Sequence, residues 1–139
     1  MKVAVVYWSS TGNTEAMAQA VVEGAKHAGA EAELFTAAEF DGGKMDEFDA
    51  VAFGCPAMGA EELEDGEFAP MFETCESKLS GKKTALFGSY GWGDGEWMRT
   101  WEENCRDKGA NLVCDSVICQ ETPDDEALSA CRSLGEALA

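Results

Sequence analysis

Short apolar runs alternate with amphipathic stretches along the whole chain, and this alternation limits the folds that the chain can adopt. Five of the runs have the length and composition of β-strands. They are Val3–Tyr7, Ala32–Phe35, Asp49–Gly54, Thr84–Phe87 and Leu112–Cys119. Because strands that alternate with helices form a parallel sheet with right-handed crossovers, the pattern predicts an α/β fold.

Apolar residues spaced three and four apart predict the helices between these strands. The spacing holds in Met17–Ala25, Phe68–Cys75, Trp97–Cys105 and Leu128–Leu138. The last helix is expected to begin with Thr122 as its cap and Pro123 as its first residue. The segment from Thr36 to Phe48 has the poorest helical pattern and is expected to form a short helix or a loop.

The length of 139 residues fits a single core, so we expect one domain that spans residues 1–139. Five such strands favour one doubly wound five-stranded parallel sheet, in the order 2-1-3-4-5, with helices on both faces. Ligands bind where the winding reverses, between strands 1 and 3, at the carboxyl ends of the strands. Three loops are expected to meet there: the first loop, Ser9–Thr14, the second loop, Cys55–Glu62, and the third loop, Ser89–Gly95.

Charge and cysteine content narrow the classes of function. The formal net charge of −17 argues against binding to nucleic acid or to anionic membranes, and it suits a basic protein partner. The six cysteines form no CxxC motif, so we expect no metal site and predict buried free thiols. No apolar run is long enough to cross a bilayer, and the N-terminus lacks the pattern of a signal peptide. We therefore expect a cytoplasmic monomer.

The first loop follows the first strand directly and leads into a helix, with Gly12 at its centre. Free N–H groups at a helix start, with the positive end of the helix dipole, favour a phosphate without any charged side chain. The loop adds four hydroxyls and an amide, from Ser9, Ser10, Thr11, Thr14 and Asn13. An ordinary capped turn has similar residues, but these exceed what one cap needs. The lysine of a Walker motif and the GxGxxG dinucleotide turn are both missing.

The third and second loops hold residues suited to a planar ligand. Trp92 lies between Gly91 and Gly93, which give it little to pack against locally, so we predict that its indole stacks on a flat partner. The second loop contributes the soft thioether of Met58 and the conformationally free Gly59. An acidic run then includes Glu61, Glu62, Glu64, Asp65 and Glu67. Most of these acids are expected to be solvated residues at the start of a helix.

A phosphate site, a slot for a planar ring and an acidic rim together resemble the flavodoxin family. The resemblance covers the whole chain and is most specific in SSTGNTE, in AMG followed by acids, and in LFGSYGWGDGEWM. The chain is similar to the short-chain group, especially to flavodoxins of anaerobic bacteria such as clostridia. The resemblance implies one non-covalently bound FMN and a low-potential one-electron carrier. The FMN would cycle between neutral semiquinone and anionic hydroquinone, and the partners would be redox proteins with basic docking surfaces.

The resemblance also implies roles for individual residues. Met58 would cover the inner face of the isoalloxazine ring and Trp92 the outer face. The Gly59–Ala60 peptide would turn its carbonyl toward flavin N5 when N5 gains hydrogen, and Glu61 would accept from N3–H. Four side chains would hold the phosphate, namely those of Ser9, Thr11, Asn13 and Thr14. The whole expected cofactor-binding set is Ser9, Ser10, Thr11, Gly12, Asn13, Thr14, Pro56, Ala57, Met58, Gly59, Ala60, Glu61, Ser89, Tyr90, Gly91, Trp92 and Gly93, where the backbone near Gly91 and Gly93 meets the pyrimidine edge.

Two positions depart from the family pattern. Pro56 stands where related sequences often carry a hydroxyl that helps to bind the phosphate, which implies a lower affinity for FMN. Ala60 stands where an acid is common, which removes one negative charge near the flavin.

Two other functions remain open from the sequence. An FMN-dependent reductase of quinones, or one that uses NAD(P)H, would be a turnover enzyme, but this short chain has no second dinucleotide turn and little spare sequence for a substrate pocket. A non-redox signalling module, such as a phosphoryl receiver, needs an Asp at the end of the third strand, where this chain has Gly54 and Cys55. We therefore favour an electron-transfer protein over an enzyme.

Overall fold

A computed structural model describes residues 1–58, 62–91 and 93–139 of the chain. Its parallel strands are β1 (Lys2–Tyr7), β2 (Glu31–Thr36), β3 (Ala50–Gly54), β4 (Lys83–Tyr90), β5 (Asn111–Leu112) and β6 (Val117–Gln120). They lie in the order β2-β1-β3-β4-β5, and β6 also pairs with β4. This confirms the predicted doubly wound α/β sheet and its order.

The fifth position in the sheet is shared by two short strands, so the prediction of one strand from Leu112 to Cys119 was wrong. Thr84 of β4 pairs with Leu112, and Phe87 pairs with Val117. Three steps along β4 therefore face five steps along its neighbour, and the two extra residues loop out of the ladder. The Ser116 hydroxyl in this segment donates to the carboxylate of Glu102 at 2.7 Å. This bond holds the segment against the helix that follows β4.

The helices are α1 (Asn13–His27), α2 (Gly42–Met45), α3 (Phe68–Glu76), α4 (Glu96–Asp107) and α5 (Asp125–Leu138), and a 3₁₀ turn spans Ala37–Glu39. The weak segment from Thr36 to Phe48 thus contains only the 3₁₀ turn and the short α2. The first residue of α5 was predicted wrongly. Asp124, not Thr122, is the cap, and its carboxylate accepts from the N–H of Ala127 at 2.8 Å. Pro123 therefore precedes the helix.

The sheet is covered on both faces, and the two sides differ in composition. On one side α1 and α5 enclose mostly small aliphatic residues, including Val3, Val5, Ala18, Val21, Ala25 and Ala52. On the other side α3 and α4 enclose aromatic residues, including Phe53, Phe68, Phe72, Trp97 and Trp101. All six cysteines lie in the described part and are free, as predicted. Four are buried, but Cys114 and Cys119 are only half-buried, so the prediction that all six are buried was wrong for these two. No helix in residues 1–58, 62–91 and 93–139 is long and apolar enough to span a membrane.

Backbone bonds continue past the carboxyl ends of the central strands and bring the three loops together. The N–H of Trp8 donates to the carbonyl of Gly54 at 3.0 Å, which joins the end of β1 to the end of β3. The N–H of Ala57 donates to the carbonyl of Ser89 at 3.0 Å, which joins the second loop to the third. The described parts of the three loops therefore meet at the switch point of the sheet.

Candidate functional site

The first loop ends in a helix start that has no side-chain cap. Gly12 precedes α1 with φ of 93°, a left-handed conformation that favours glycine. The N–H groups of Asn13, Thr14 and Glu15 have no hydrogen-bond partner within the described residues, whereas Ala16 donates to the carbonyl of Gly12. Three free N–H groups therefore point out of the positive end of a 15-residue helix, which is the arrangement that binds a phosphate.

One hydroxyl of the first loop stabilises the loop itself, and the others are available to bind a ligand. The Ser9 hydroxyl accepts from the N–H of Gly12 at 3.1 Å, which closes the loop on itself, and its own hydrogen stays free to donate. Ser10 and Thr11 are exposed, and their hydroxyls have no partner in the part of the chain that the structure describes. The Asn13 amide is half-buried and likewise unengaged among those residues. Ser9, Ser10, Thr11 and Asn13 thus each keep a donor that is unengaged among the described residues.

Thr14 differs from the other first-loop residues because its hydroxyl faces inward. It lies 3.2 Å from the hydroxyl of Ser89, and the two residues are only 1% and 5% exposed. Ser89 ends the buried part of β4, so this pair connects the first loop to the third. One hydroxyl of the pair must donate to the other, which leaves one hydrogen to donate to a ligand.

A cleft of about 370 Å³ adjoins the first loop on its β2 side. It is lined by Tyr7, Trp8, Ser9, Ser10, Gly12, Glu15, Thr36, Ala37, Ala38 and Glu67. The Tyr7 hydroxyl donates to Glu15 at 3.0 Å, and the Trp8 indole donates to Glu67 at 3.1 Å. Burial, the hydrogen bond to Glu15 and the charge of Glu15 raise the pKa of Tyr7. Acids, not cations, therefore surround the phosphate end of the site.

The start of the second loop is fixed by its surroundings. The buried indole N–H of Trp97 donates to the carbonyl of Cys55 at 3.2 Å. The Cys55 thiol is fully buried, and burial raises its pKa to about 12, so this thiol stays protonated and does not act as a nucleophile. Gly88 lies directly beneath this carbonyl, and a Cβ there would overlap it. Pro56 and Ala57 follow, both half-buried.

A reciprocal pair of backbone bonds then closes the second loop. Met58 donates to the carbonyl of Glu62 at 2.8 Å, and Glu62 donates to the carbonyl of Met58 at 2.9 Å. Three predicted site residues lie between them, Gly59, Ala60 and Glu61, and all three fall outside the described residues. The described residues on either side of these three are thus joined by two backbone hydrogen bonds.

The third loop is held from β6 and α4. The N–H of Glu121 donates to the carbonyl of Tyr90 at 2.7 Å, and Glu121 adopts a left-handed φ of 58°. The Tyr90 ring packs on Trp97 with centroids 5.5 Å apart. The Gly91 carbonyl accepts from the amide of Gln120 at 3.5 Å, and Gly93 has a positive φ of 86°. The predicted stacking residue, Trp92, lies outside the described residues.

The residue types at the two ends of the site fit FMN. One end of the site offers uncharged donors for a single phosphate, and the other offers Met58 and the glycine-rich third loop for a planar ring. No group of three or more His, Cys, Asp or Glu side chains that could hold a metal occurs in the described ranges. Trp97 is buried in the aromatic core, and the sequence does not reveal that its indole also donates to the second loop. Glu64 belongs to the acids of which most are expected to be solvated, but its carboxylate accepts three backbone N–H groups. A helical spacing hides the first, and an acidic run hides the second.

Comparison with known proteins agrees with this geometry. A family model described as Flavodoxin matches residues 5–135. The flavodoxin of Megasphaera elsdenii is 46% identical, over 99% of this chain and 98% of that protein. The flavodoxin of Clostridium beijerinckii is 43% identical, over 97% of each chain.

Solved structures give the same picture. The solution structure of two-electron reduced Megasphaera elsdenii flavodoxin aligns with a TM-score of 0.89, covering 98% of this chain and 97% of that one at 46% identity. The structure of a flavodoxin from the domain Archaea aligns with a TM-score of 0.87 at 30% identity, covering 100% of this chain and 96% of that one. This chain therefore belongs to the flavodoxin family of FMN-binding electron carriers, and it is similar to the short-chain, clostridial type.

Proposed function

We propose that this protein is a low-potential one-electron carrier whose FMN cycles between the neutral semiquinone and the anionic hydroquinone. The supporting observation is the first loop, where backbone and hydroxyl donors surround the phosphate position without any Lys or Arg. A lysine there would neutralise the phosphate, whereas neutral donors leave its charge in place. The acids nearby and the formal net charge of −17 add to that negative field.

This field acts mainly on the last reduction step. Adding a second electron creates an anionic flavin close to the phosphate and the acidic rim, and like charges repel one another. Each ~1.4 kcal/mol of such repulsion shifts the equilibrium tenfold. For a one-electron step the same repulsion corresponds to about 59 mV. The reduced carrier is therefore a strong reductant.

We assign the phosphate end to the first loop, and the ring to the second and third loops. The phosphate residues are Ser9, Ser10, Thr11, Gly12, Asn13 and Thr14. The ring residues are Pro56, Ala57, Met58, Gly59, Ala60, Glu61, Ser89, Tyr90, Gly91, Trp92 and Gly93. Gly59 allows its peptide to present a carbonyl to the flavin N5–H without the steric penalty of a side chain. Such a bond typically contributes about 1 kcal/mol.

The protein is proposed to transfer electrons between partners and not to turn over a substrate of its own. Its acidic surface suits redox proteins with basic docking surfaces, because complementary charge speeds encounter. Six free thiols suit a reducing compartment, so we place the protein in the cytoplasm, as a monomer with a single FMN-binding domain.

An anaerobic titration followed by visible spectroscopy tests the carrier mechanism. Half-reduction should give a blue neutral semiquinone, and Gly59→Val should shrink its population because a β-branched residue resists the required backbone angles. Mass analysis of the released cofactor should show stoichiometric FMN. Direct conversion from oxidised to fully reduced flavin would defeat the proposal. Steady-state oxidation of NAD(P)H by the purified protein alone would favour a reductase instead.

A further inference from the structure

Glu64 lies two residues beyond the second loop, and its carboxylate binds the start of α3. One oxygen, Oε2, accepts from the N–H of Gly66 at 2.7 Å. The other, Oε1, accepts from Glu67 and Phe68 at 2.8 Å each. Burial acts to raise the pKa of Glu64, but these three N–H groups outweigh it and hold the pKa below its usual range. The carboxylate therefore caps a helix whose N-cap residue, Glu67, makes no side-chain cap bond.

The backbone of Glu64 is tied to both sides of the same turn. Its N–H donates to the thiol sulfur of Cys55 at 3.4 Å, at the end of β3. Its carbonyl accepts from the N–H of Ala69 at 2.9 Å, in the first turn of α3. One residue thus joins the end of a central strand to the start of a helix through five hydrogen bonds.

This anchor lies at one end of the arm that closes the second loop. Glu62 is paired with Met58 through two backbone bonds, and Leu63 packs against the aromatic side of the core. Glu64 follows directly, so any shift of Glu64 moves Glu62, and with it the backbone of Met58. The arm from Glu62 to Glu64 therefore transmits the position of the α3 start to the loop that faces the ring.

We propose that Glu64 is a positioning residue for the flavin ring, which holds this arm so that Met58 is presented to the ring before the cofactor binds. The inference rests on the proposed function, because it needs a planar ring at Met58. Glu64 does not touch the ring in this proposal. It lowers the cost of ordering the loop, which is the general effect of pre-organisation on affinity.

The test compares Glu64→Ala with Asp65→Ala. Each variant removes one acid from the same segment, but Asp65 is exposed and makes no side-chain hydrogen bond within the described residues. Binding of FMN and of riboflavin to the apoprotein is measured for both variants. Loss of a helix cap predicts about a fivefold weaker affinity for both ligands in Glu64→Ala. Asp65→Ala should leave both affinities within about twofold of the parent protein.

Amide hydrogen exchange of the apoprotein gives a second measurement that does not depend on a ligand. The N–H groups of Gly66, Glu67 and Phe68 should exchange faster in Glu64→Ala and unchanged in Asp65→Ala. Equal ligand affinities in the two variants would overturn the inference. A loss for FMN alone, with riboflavin unaffected, would overturn it too, because the effect would then act on the phosphate.

Two further measurements distinguish a failure of this inference from a folding defect and from a failure of the proposed function. If Glu64→Ala does not fold, Glu64→Gln replaces it, since its amide oxygen still accepts from Glu67 and Phe68. It should bind riboflavin more weakly than Asp65→Asn, and equal binding would overturn the inference. If the parent protein binds flavin but shows no semiquinone, the carrier proposal fails. The comparison of Glu64→Ala with Asp65→Ala can still be made, because it needs only flavin binding.

Discussion

The two sides of the sheet are packed by opposite means. Between α1 and α5, helix backbones touch directly. A Cβ at Gly24 would overlap the carbonyl oxygen of Arg132, and a Cβ at Gly135 would overlap that of Val21. The packing of this side therefore depends on two glycines, which have no side chain and so let the two helices approach closely.

The other side is specified by the shape of its rings. Phe53 packs edge-on against Phe72 with centroids 5.0 Å apart, and Phe68 packs edge-on against Trp101 at 5.4 Å. Such pairs stabilise the fold by more than the burial of their apolar area alone would. Rings can rotate and shift to absorb a small change, whereas a carbonyl in a helix cannot move without its helix.

Each side also positions a different end of the candidate site. The α1 helix begins at the first loop and supplies the free N–H groups of the phosphate end. The aromatic side supplies Trp97, which holds the second loop at Cys55 and packs against Tyr90 of the third loop. Changes on the first side should therefore disturb the whole fold, and changes on the second should disturb the ring end first.

The largest effect is expected for Gly135→Ala. The added methyl meets backbone atoms of Val21 and Ala25, so α1 and α5 must separate. Such overpacking should lower the free energy of unfolding by about 3 kcal/mol. The better helix propensity of Ala returns only about 1 kcal/mol. Urea unfolding of the apoprotein measures the difference.

Gly29→Ala is the control for this change. Gly29 has a φ of 94° but open space around its Cβ position, so it tests backbone conformation without overlap. Its cost should be about 1–2 kcal/mol. If Gly135→Ala were as stable as the parent protein, the close approach of the two helices would not be what specifies this side.

A smaller effect is expected on the aromatic side, from Trp97→Phe. This variant leaves the buried carbonyl of Cys55 without its donor, which should cost about 2 kcal/mol of stability and weaken FMN and riboflavin alike. Trp101→Phe is a matched control, because the buried Nε1 of Trp101 has no partner among the described residues. It loses similar volume but no hydrogen bond. Equal losses in the two variants, measured by urea unfolding and flavin binding, would assign the effect to volume.

The sequence predicted the sheet order because apolar runs and helical spacings are local patterns that tertiary packing then reinforces. The prediction from the sequence was wrong where two neighbouring residues could both cap the same helix. Thr122 and Asp124 are both capable caps, and the geometry around Ala127 selects Asp124. It failed again at Ser116, where a hydroxyl bond to Glu102 on α4 interrupts a strand that is apolar enough to continue.

The candidate site was predictable in part for a related reason. The residue types of the first loop indicate a phosphate site, because four hydroxyls at a helix start suit few other ligands. Glu64 was not predictable in this way. It lies in a segment rich in acids, and only the fold shows that its carboxylate accepts from the N–H groups of Gly66, Glu67 and Phe68.

An intermediate effect should follow from Thr14→Val, which keeps the shape of the side chain and removes its hydroxyl. Ser89 then loses its buried partner, so we expect about 1 kcal/mol of lost stability and a similar loss in FMN binding. A double-mutant cycle with Ser89→Ala isolates the pair, and a coupling of about 1 kcal/mol is expected. Strict additivity would mean that the first and third loops are not coupled through these hydroxyls.

The smallest effect concerns salt, and it tests the uncharged character of the phosphate end. Raising the ionic strength from about 0.01 M to 0.15 M shortens the screening length from about 30 Å to 8 Å. The chain has a formal net charge of −17 and no cation in the first loop. Salt screens the long-range repulsion between these acids and the phosphate more than it weakens the attraction of the helix start, which acts over about one turn. FMN affinity should therefore rise, by about twofold, which corresponds to about 0.4 kcal/mol. Riboflavin lacks the phosphate and should bind with unchanged affinity. Titration of the apoprotein by loss of flavin fluorescence measures both ligands, and an FMN affinity that falls with salt would reveal a cation at the phosphate that the first loop does not supply.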